Sequence, residues 1–163
     1  MKRLALALIL AAGSSHAGVA AYEQCIGPEF EERLMANYAE RFPSDRCESS
    51  ATCPAGQIES TTHLTRGHCR VAALDDCESN KCRKGLTERW QSDAADLRTR
   101  IDSILATLDF STLPPLQARR LANPESWSTL GDCTGTALTC AGVWSGQNLG
   151  DMERIFAEVE KLR

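Results

Sequence analysis

The stretch KGLTERWQSDAADLRTRIDSILATL, Lys84 to Leu108, decides the fold class of this chain. Trp90, Leu97 and Ile104 alternate with Ala94, Ile101 and Leu108 at the four-three spacing of a packed helix seam, and charged residues fill the other face. Asp96 and Arg100 stand at the four-residue spacing that supports a helix from its exposed side. A long helix over residues 84–108 is therefore expected, with the rest of the molecule packed around it.

Outward from this seam the chain is punctuated by other helical segments. Pro28 suits a first helical turn, Glu29, Glu31 and Glu32 complement the helix dipole, and Phe30, Leu34, Tyr38 and Phe42 recur every fourth residue before Pro43 ends the run. Pro114 and Pro115 open a short helix, Leu116 to Leu121. A last helix is expected from near Asp151, with Met152, Ile155, Phe156, Val159 and Leu162 as its apolar side. Two regions read less clearly. Between Ile58 and Leu74 neither helical nor alternating periodicity is clean, so only Cys69 to Asp76 is expected to be helical. From Asn123 to Gly150 the density of glycine suggests loops with room for a short β-hairpin through Ala137 to Trp144. The expected architecture is a mostly α, small disulfide-stapled helical bundle around residues 84–108, with irregular Gly-rich loops.

The amino terminus carries a second clear signal. Lys2 and Arg3 precede an apolar run from Leu4 to Ala12, and Ser15 with Ala17 have the small-residue spacing of a leader cleavage site. A cut before Gly18 is expected, leaving a single domain over 18–163; Val19 and Ala21 offer an alternative cut before Tyr22. The apolar run is well short of the ~20 residues a membrane-spanning helix needs, so no membrane anchor is expected after cleavage. The leader is bacterial in style, which makes the periplasm the expected destination and secretion the alternative.

All eight cysteines, Cys25, Cys47, Cys53, Cys69, Cys77, Cys82, Cys133 and Cys140, lie beyond the leader. An even set in an exported chain reads as a disulfide framework. Cys133 with Cys140 and Cys47 with Cys53 could close local loops, and the other four would then staple helices together. Loss of Lys2 and Arg3 from 18 basic residues leaves 16 against 22 acidic ones, a net charge of −6 with histidine neutral. That balance argues against nucleic acid or an anionic membrane as partner, since both are bound by clustered Lys and Arg.

Chemical motifs are sparse. There is no C-x-x-C redox pair and no C-x-x-C-H haem site; the nearest spacing is Cys77 to Cys82. His63, His68, Cys69, Cys77 and Cys82 offer zinc-type ligands at spacings of no common zinc site, and Asp75, Asp76, Glu78 and Asn80 lack the order of a calcium loop. No metal and no cofactor is assigned. No G-x-S-x-G elbow presents a serine. Glu59-Ser60 resembles the Glu-Ser pair of lytic transglycosylases, without that family's later Gly and Gln motif, so Glu59 with His63 and His68 defines an alternative reading as a small exported hydrolase of cell-wall glycan or ester.

Cys25 beside a helix and Arg89-Trp90 on a later helix resemble LprI-type lysozyme inhibitors, which are small, helical and exported. The resemblance covers those two patches; the family's Asp-x-x-Leu-Asn-x-x-Tyr stretch is missing around Leu34 to Tyr38. It implies a protein-binding role. The leading expectation is a non-catalytic binding, inhibitor or immunity-type protein acting on an envelope or secreted protein, basic in character, through Trp127 and Trp144 in the Gly-rich region. An accessory subunit of an envelope complex, docking through Ile155, Phe156 and Val159, is the third reading.

Overall fold

The structure, a computed structural model, describes residues 17–128 and 131–163. Apart from Ala17 the expected leader lies outside them. The described residues form the expected mostly α, disulfide-stapled bundle, with no strand among them. Six α-helices follow in order: α1 Ala17–Cys25, α2 Phe30–Arg41, α3 Ala55–Asp75, α4 Asn80–Leu105, α5 Pro115–Leu121 and α6 Ala137–Glu160. Single 3-10 turns lie at Phe110–Thr112 and Pro124–Trp127. The chain falls into two compact units, one ending at Leu86 and the other Thr87–Arg163.

In the first unit, α2 buries Leu34 and Tyr38, as its four-residue repeat predicts. Helix α3 corrects the sequence reading, because it runs over 55–75 where only Cys69 to Asp76 was expected. Its buried face is Thr61, Thr65, Cys69 and Ala73, each at 1% exposure or less. These four residues recur every fourth position but are small or polar, so no apolar stripe shows in the sequence. The hydroxyls are satisfied locally: Thr61 Oγ1 donates to the Gln57 carbonyl and Thr65 Oγ1 to the Thr61 carbonyl, both at 2.8 Å. Asn37 on α2 donates from Nδ2 to Thr65 Oγ1 at 3.3 Å, tying the two helices.

The Tyr38 hydroxyl donates to Asp45 Oδ2 at 2.6 Å, and Gln57 Oε1 lies 2.9 Å from the phenol oxygen. One hydroxyl hydrogen serves one acceptor, so Asp45 Oδ2 and Gln57 Oε1 are alternative acceptors, with the charged carboxylate at the shorter distance. Burial, with the carboxylate of Asp45 beside it, pushes the Tyr38 phenol up to about 12.

All four bridges are formed: Cys25–Cys69, Cys47–Cys53, Cys77–Cys82 and Cys133–Cys140. The two expected local loops are present. Of the remaining four cysteines, Cys25–Cys69 staples α1 to α3, whereas Cys77–Cys82 pins the turn between α3 and α4 instead of joining distant helices. Ser79 caps that turn by accepting from Cys82 N at 3.2 Å, which starts α4 at Asn80, ahead of the expected Lys84. At its other end α4 stops at Leu105, short of the expected Leu108, and Asp109 caps the next turn through Ser111 N at 2.9 Å. The hydrogen bonds from Ser111 hold the Asp109 carboxyl below its ordinary range.

In the second unit, the α4 seam buries Trp90, Ala94 and Ile101, while Leu97 and Ile104 are half-buried. On its polar side Arg89 pairs with Asp93 and Arg98 with Asp102. Arg100, expected opposite Asp96, lies 4.0 Å over the Phe156 ring and 3.8 Å from Glu160. Gln91 Nε2 donates to Ser145 Oγ at 3.3 Å. Residue 91 meets 145 and residue 100 meets 156 and 160, so α4 and α6 run side by side in the same direction. The chain between them includes α5, which ties to α6 through Arg120–Glu158 at 3.0 Å and Gln117–Glu158 at 3.1 Å.

Helix α6 is the second correction. No hairpin forms through Ala137 to Trp144, and the last helix starts at Ala137 and not near Asp151, capped by Thr136 Oγ1 accepting from Thr139 N at 3.2 Å. The glycines that suggested loops, Gly142, Gly146 and Gly150, recur every fourth residue and are buried beside Ser145 and Leu149. No described glycine has a positive φ. Their helical backbone is ordinary, so they sit within the helix at a cost of ~1 kcal/mol each in propensity and do not form turns.

Candidate functional site

The strap of residues 131–136 folds back along the first turns of α6 and is fastened to it at several points. Cys133 is bonded to Cys140 in the first turn. At Gly135 a Cβ would stand 3.1 Å from Thr139 Cγ2 and 3.2 Å from Thr139 Cβ, so glycine lets the strap lie against the helix. Farther along, Trp144 Nε1 donates to the Gly131 carbonyl at 3.0 Å, and Gln147 Oε1 accepts from Gly131 N at 3.4 Å. Both peptide groups flanking the Gly131 Cα are thus held by side chains one helical turn apart on α6.

Trp144 keeps 40% of its surface exposed, so its ring is fixed by the indole N–H bond yet open to solvent. A large aromatic held in one orientation loses little entropy on binding, which is the property of an interface anchor. The strap itself leaves Asp132, Thr134 and Thr136 exposed.

Trp127, the other tryptophan expected at this surface, is 0% exposed. Its Nε1 donates to the Arg120 carbonyl at 2.9 Å, and the Arg98 guanidinium lies 4.6 Å from the ring centroid. It is a core residue joining the 3-10 turn to α4 and α5, and only Trp144 of the pair offers ring surface to a partner.

No protein-family model, curated protein or solved structure matches this chain. The resemblance to LprI-type inhibitors stays at its two patches, of which Cys25 is bonded to Cys69 and Arg89 pairs with Asp93.

Glu59, His63 and His68 all lie on α3, which does not bring them to one point. At about 100° per residue, His63 follows Glu59 by about 40° on the helix surface, whereas His68 lies about 180° away. Glu59 is half-buried and both histidines are exposed. Glu59 and His63 share a solvent-facing stripe; His68 belongs to another side.

The zinc-type set is equally divided, because Cys69, Cys77 and Cys82 are all in disulfides and have no thiolate to give. Asp75, Asp76, Glu78 and Asn80 form the acidic turn between α3 and α4, next to the Cys77–Cys82 bridge. Among the described residues no group of three His, Cys, Asp or Glu side chains is placed to hold a metal.

The proposed docking side of the last helix is used internally. Ile155 and Val159 are 0% exposed, and Phe156 is half-buried under Arg100. Sequence reasoning missed the Gly131 contacts altogether, since a glycine thirteen residues before a tryptophan carries no recognisable pattern.

Proposed function

We propose that this is an exported, disulfide-stabilised, non-catalytic binding protein of the inhibitor or immunity type, acting in the bacterial periplasm on a protein of the envelope. Trp144 carries the reading: a partly exposed indole on α6 that donates to the strap of residues 131–136, which one disulfide and the Gln147 side chain also hold to the helix. Such an anchor is arranged before the partner arrives, so little of the contact energy goes into ordering it. Four disulfides suit an oxidising compartment, and no described helix is long and apolar enough to cross a membrane. The net charge of −6 after leader removal complements a basic partner, speeding encounter more than it deepens affinity.

The test is affinity capture from an envelope extract with the oxidised protein, beside a reduced and alkylated control and the Trp144→Ala variant. One stoichiometric partner should be retained by the oxidised protein. Its affinity should fall about 30-fold or more in Trp144→Ala, the loss expected for a hot-spot aromatic. Equal binding by the variant, or by the reduced protein, would remove the strap from the interface.

A further inference from the structure

Helix α1 is fastened to disulfides at both ends. Its last residue, Cys25, is bonded to Cys69 of α3. Near its start Gly18 is buried against the Cys77–Cys82 bridge, with its backbone N 3.3 Å from Cys82 Sγ. A Cβ on Gly18 would fall onto Cys77 Sγ, 2.8 Å from Cys82 Sγ and 2.9 Å from Leu86 Cδ1, all nearer than real Cβ atoms come. These neighbours cannot easily yield, because Cys77 and Leu86 are 0% and Cys82 is 1% exposed. Tyr22, one turn after Gly18 on the same face, is 2% exposed, whereas Ala17 is exposed.

The first turn of α1 is therefore part of the core, and only glycine fits at its contact point. This distinguishes the two cleavage points that the sequence leaves open. A cut before Tyr22 discards Gly18 and uncovers the Cys77–Cys82 bridge and Leu86 on that side. A cut before Gly18 keeps every buried residue of α1.

We propose that the chain is matured by hydrolysis of the Ala17–Gly18 peptide bond, carried out by an envelope peptidase that reads the small residues Ser15 and Ala17. Water adds to the Ala17 carbonyl carbon and the C–N bond breaks. Ala17 leaves with the leader as a carboxylate, and the Gly18 nitrogen takes up the proton as the new terminal amine. The proposal rests on the export reading above. It adds that Gly18 is selected by its contact with the bridge, where the cleavage motif alone would accept many residues.

The full chain, expressed with its own leader in a bacterium, is to be recovered from envelope and cytosolic fractions and read by amino-terminal sequencing with intact mass. The expected product is oxidised and begins Gly18-Val19-Ala20. An oxidised product beginning at Tyr22 would overturn the processing site and leave export standing; an unprocessed, reduced chain confined to the cytosol would overturn both. A second measurement compares oxidised chains made to begin at Gly18 and at Tyr22. The shorter should melt about 5 °C or more lower, and equal melting temperatures would overturn the role given to Gly18.

Discussion

The Tyr38 ring is buried and its hydroxyl bonds to the exposed Asp45 carboxylate, and this gives the fold a measurable alkaline limit. Its ordinary value of 10.0 is raised to about 12 in the folded protein, so the native state holds the phenol proton that the unfolded chain releases. The stabilisation is thus complete below about pH 10 and is lost as pH rises through about 12. Melting measured against pH should show a decline over that window that flattens in Tyr38→Phe. Because the chain has two tyrosines, the tyrosinate absorbance of the variant reports Tyr22 alone. That Tyr38 faces the core follows from the Phe30, Leu34, Tyr38 repeat. Its partners do not, because Asp45 and Gln57 come from a loop and from another helix.

At the scale of the element, α3 and α6 are the helices of which hydrophobic periodicity found only a part, Cys69 to Asp76 of the one and the run from near Asp151 of the other. In α3 the buried stripe of Thr61, Thr65, Cys69 and Ala73 is hidden because threonine counts as polar, although its hydroxyl is silenced by the carbonyl one turn back. A contrast within the stripe tests this. Thr61→Val preserves shape and deletes a hydroxyl bonded within its own helix, so urea unfolding should show a change within about 0.5 kcal/mol. Thr65→Val also removes one of the two acceptors of Asn37 Nδ2, leaving the Arg33 carbonyl, and should cost about 1 kcal/mol. Equal costs would mean that the Asn37 contact contributes nothing. In α6 the concealment is of another kind: Gly142, Gly146 and Gly150 read as turn formers one at a time, but their four-residue interval puts them on one helix face. The α4 seam was legible because Trp90, Ala94 and Ile101 are apolar and regularly spaced. Its ends were less so, since Ser79 and Asp109 act through single hydrogen bonds.

For the whole molecule the four bridges are unequal. Cys25–Cys69 closes a loop with a sequence separation of 44, whereas the other three have separations of 6, 5 and 7. In the chain-entropy account the long loop stabilises by about 4 kcal/mol and each short one by about 2. Replacing Cys25 and Cys69 together by serine should therefore lower the denaturant midpoint about twice as far as replacing Cys47 and Cys53 together. Equal midpoints would show that the bridges act mainly by local geometry.

The sequence by itself determined the helical class, the α4 seam and the number of cysteines, and pointed to the two local cysteine loops, because periodicity and short spacing are properties of neighbours along the chain. The tertiary structure alone decided that Trp127 is buried, that Cys25 meets Cys69 and that Gly18 lies on the Cys77–Cys82 bridge. Each of these depends on which residues distant in sequence come within a few ångströms of one another. No local pattern carries that information, because the packing that brings them together is set by whole helices.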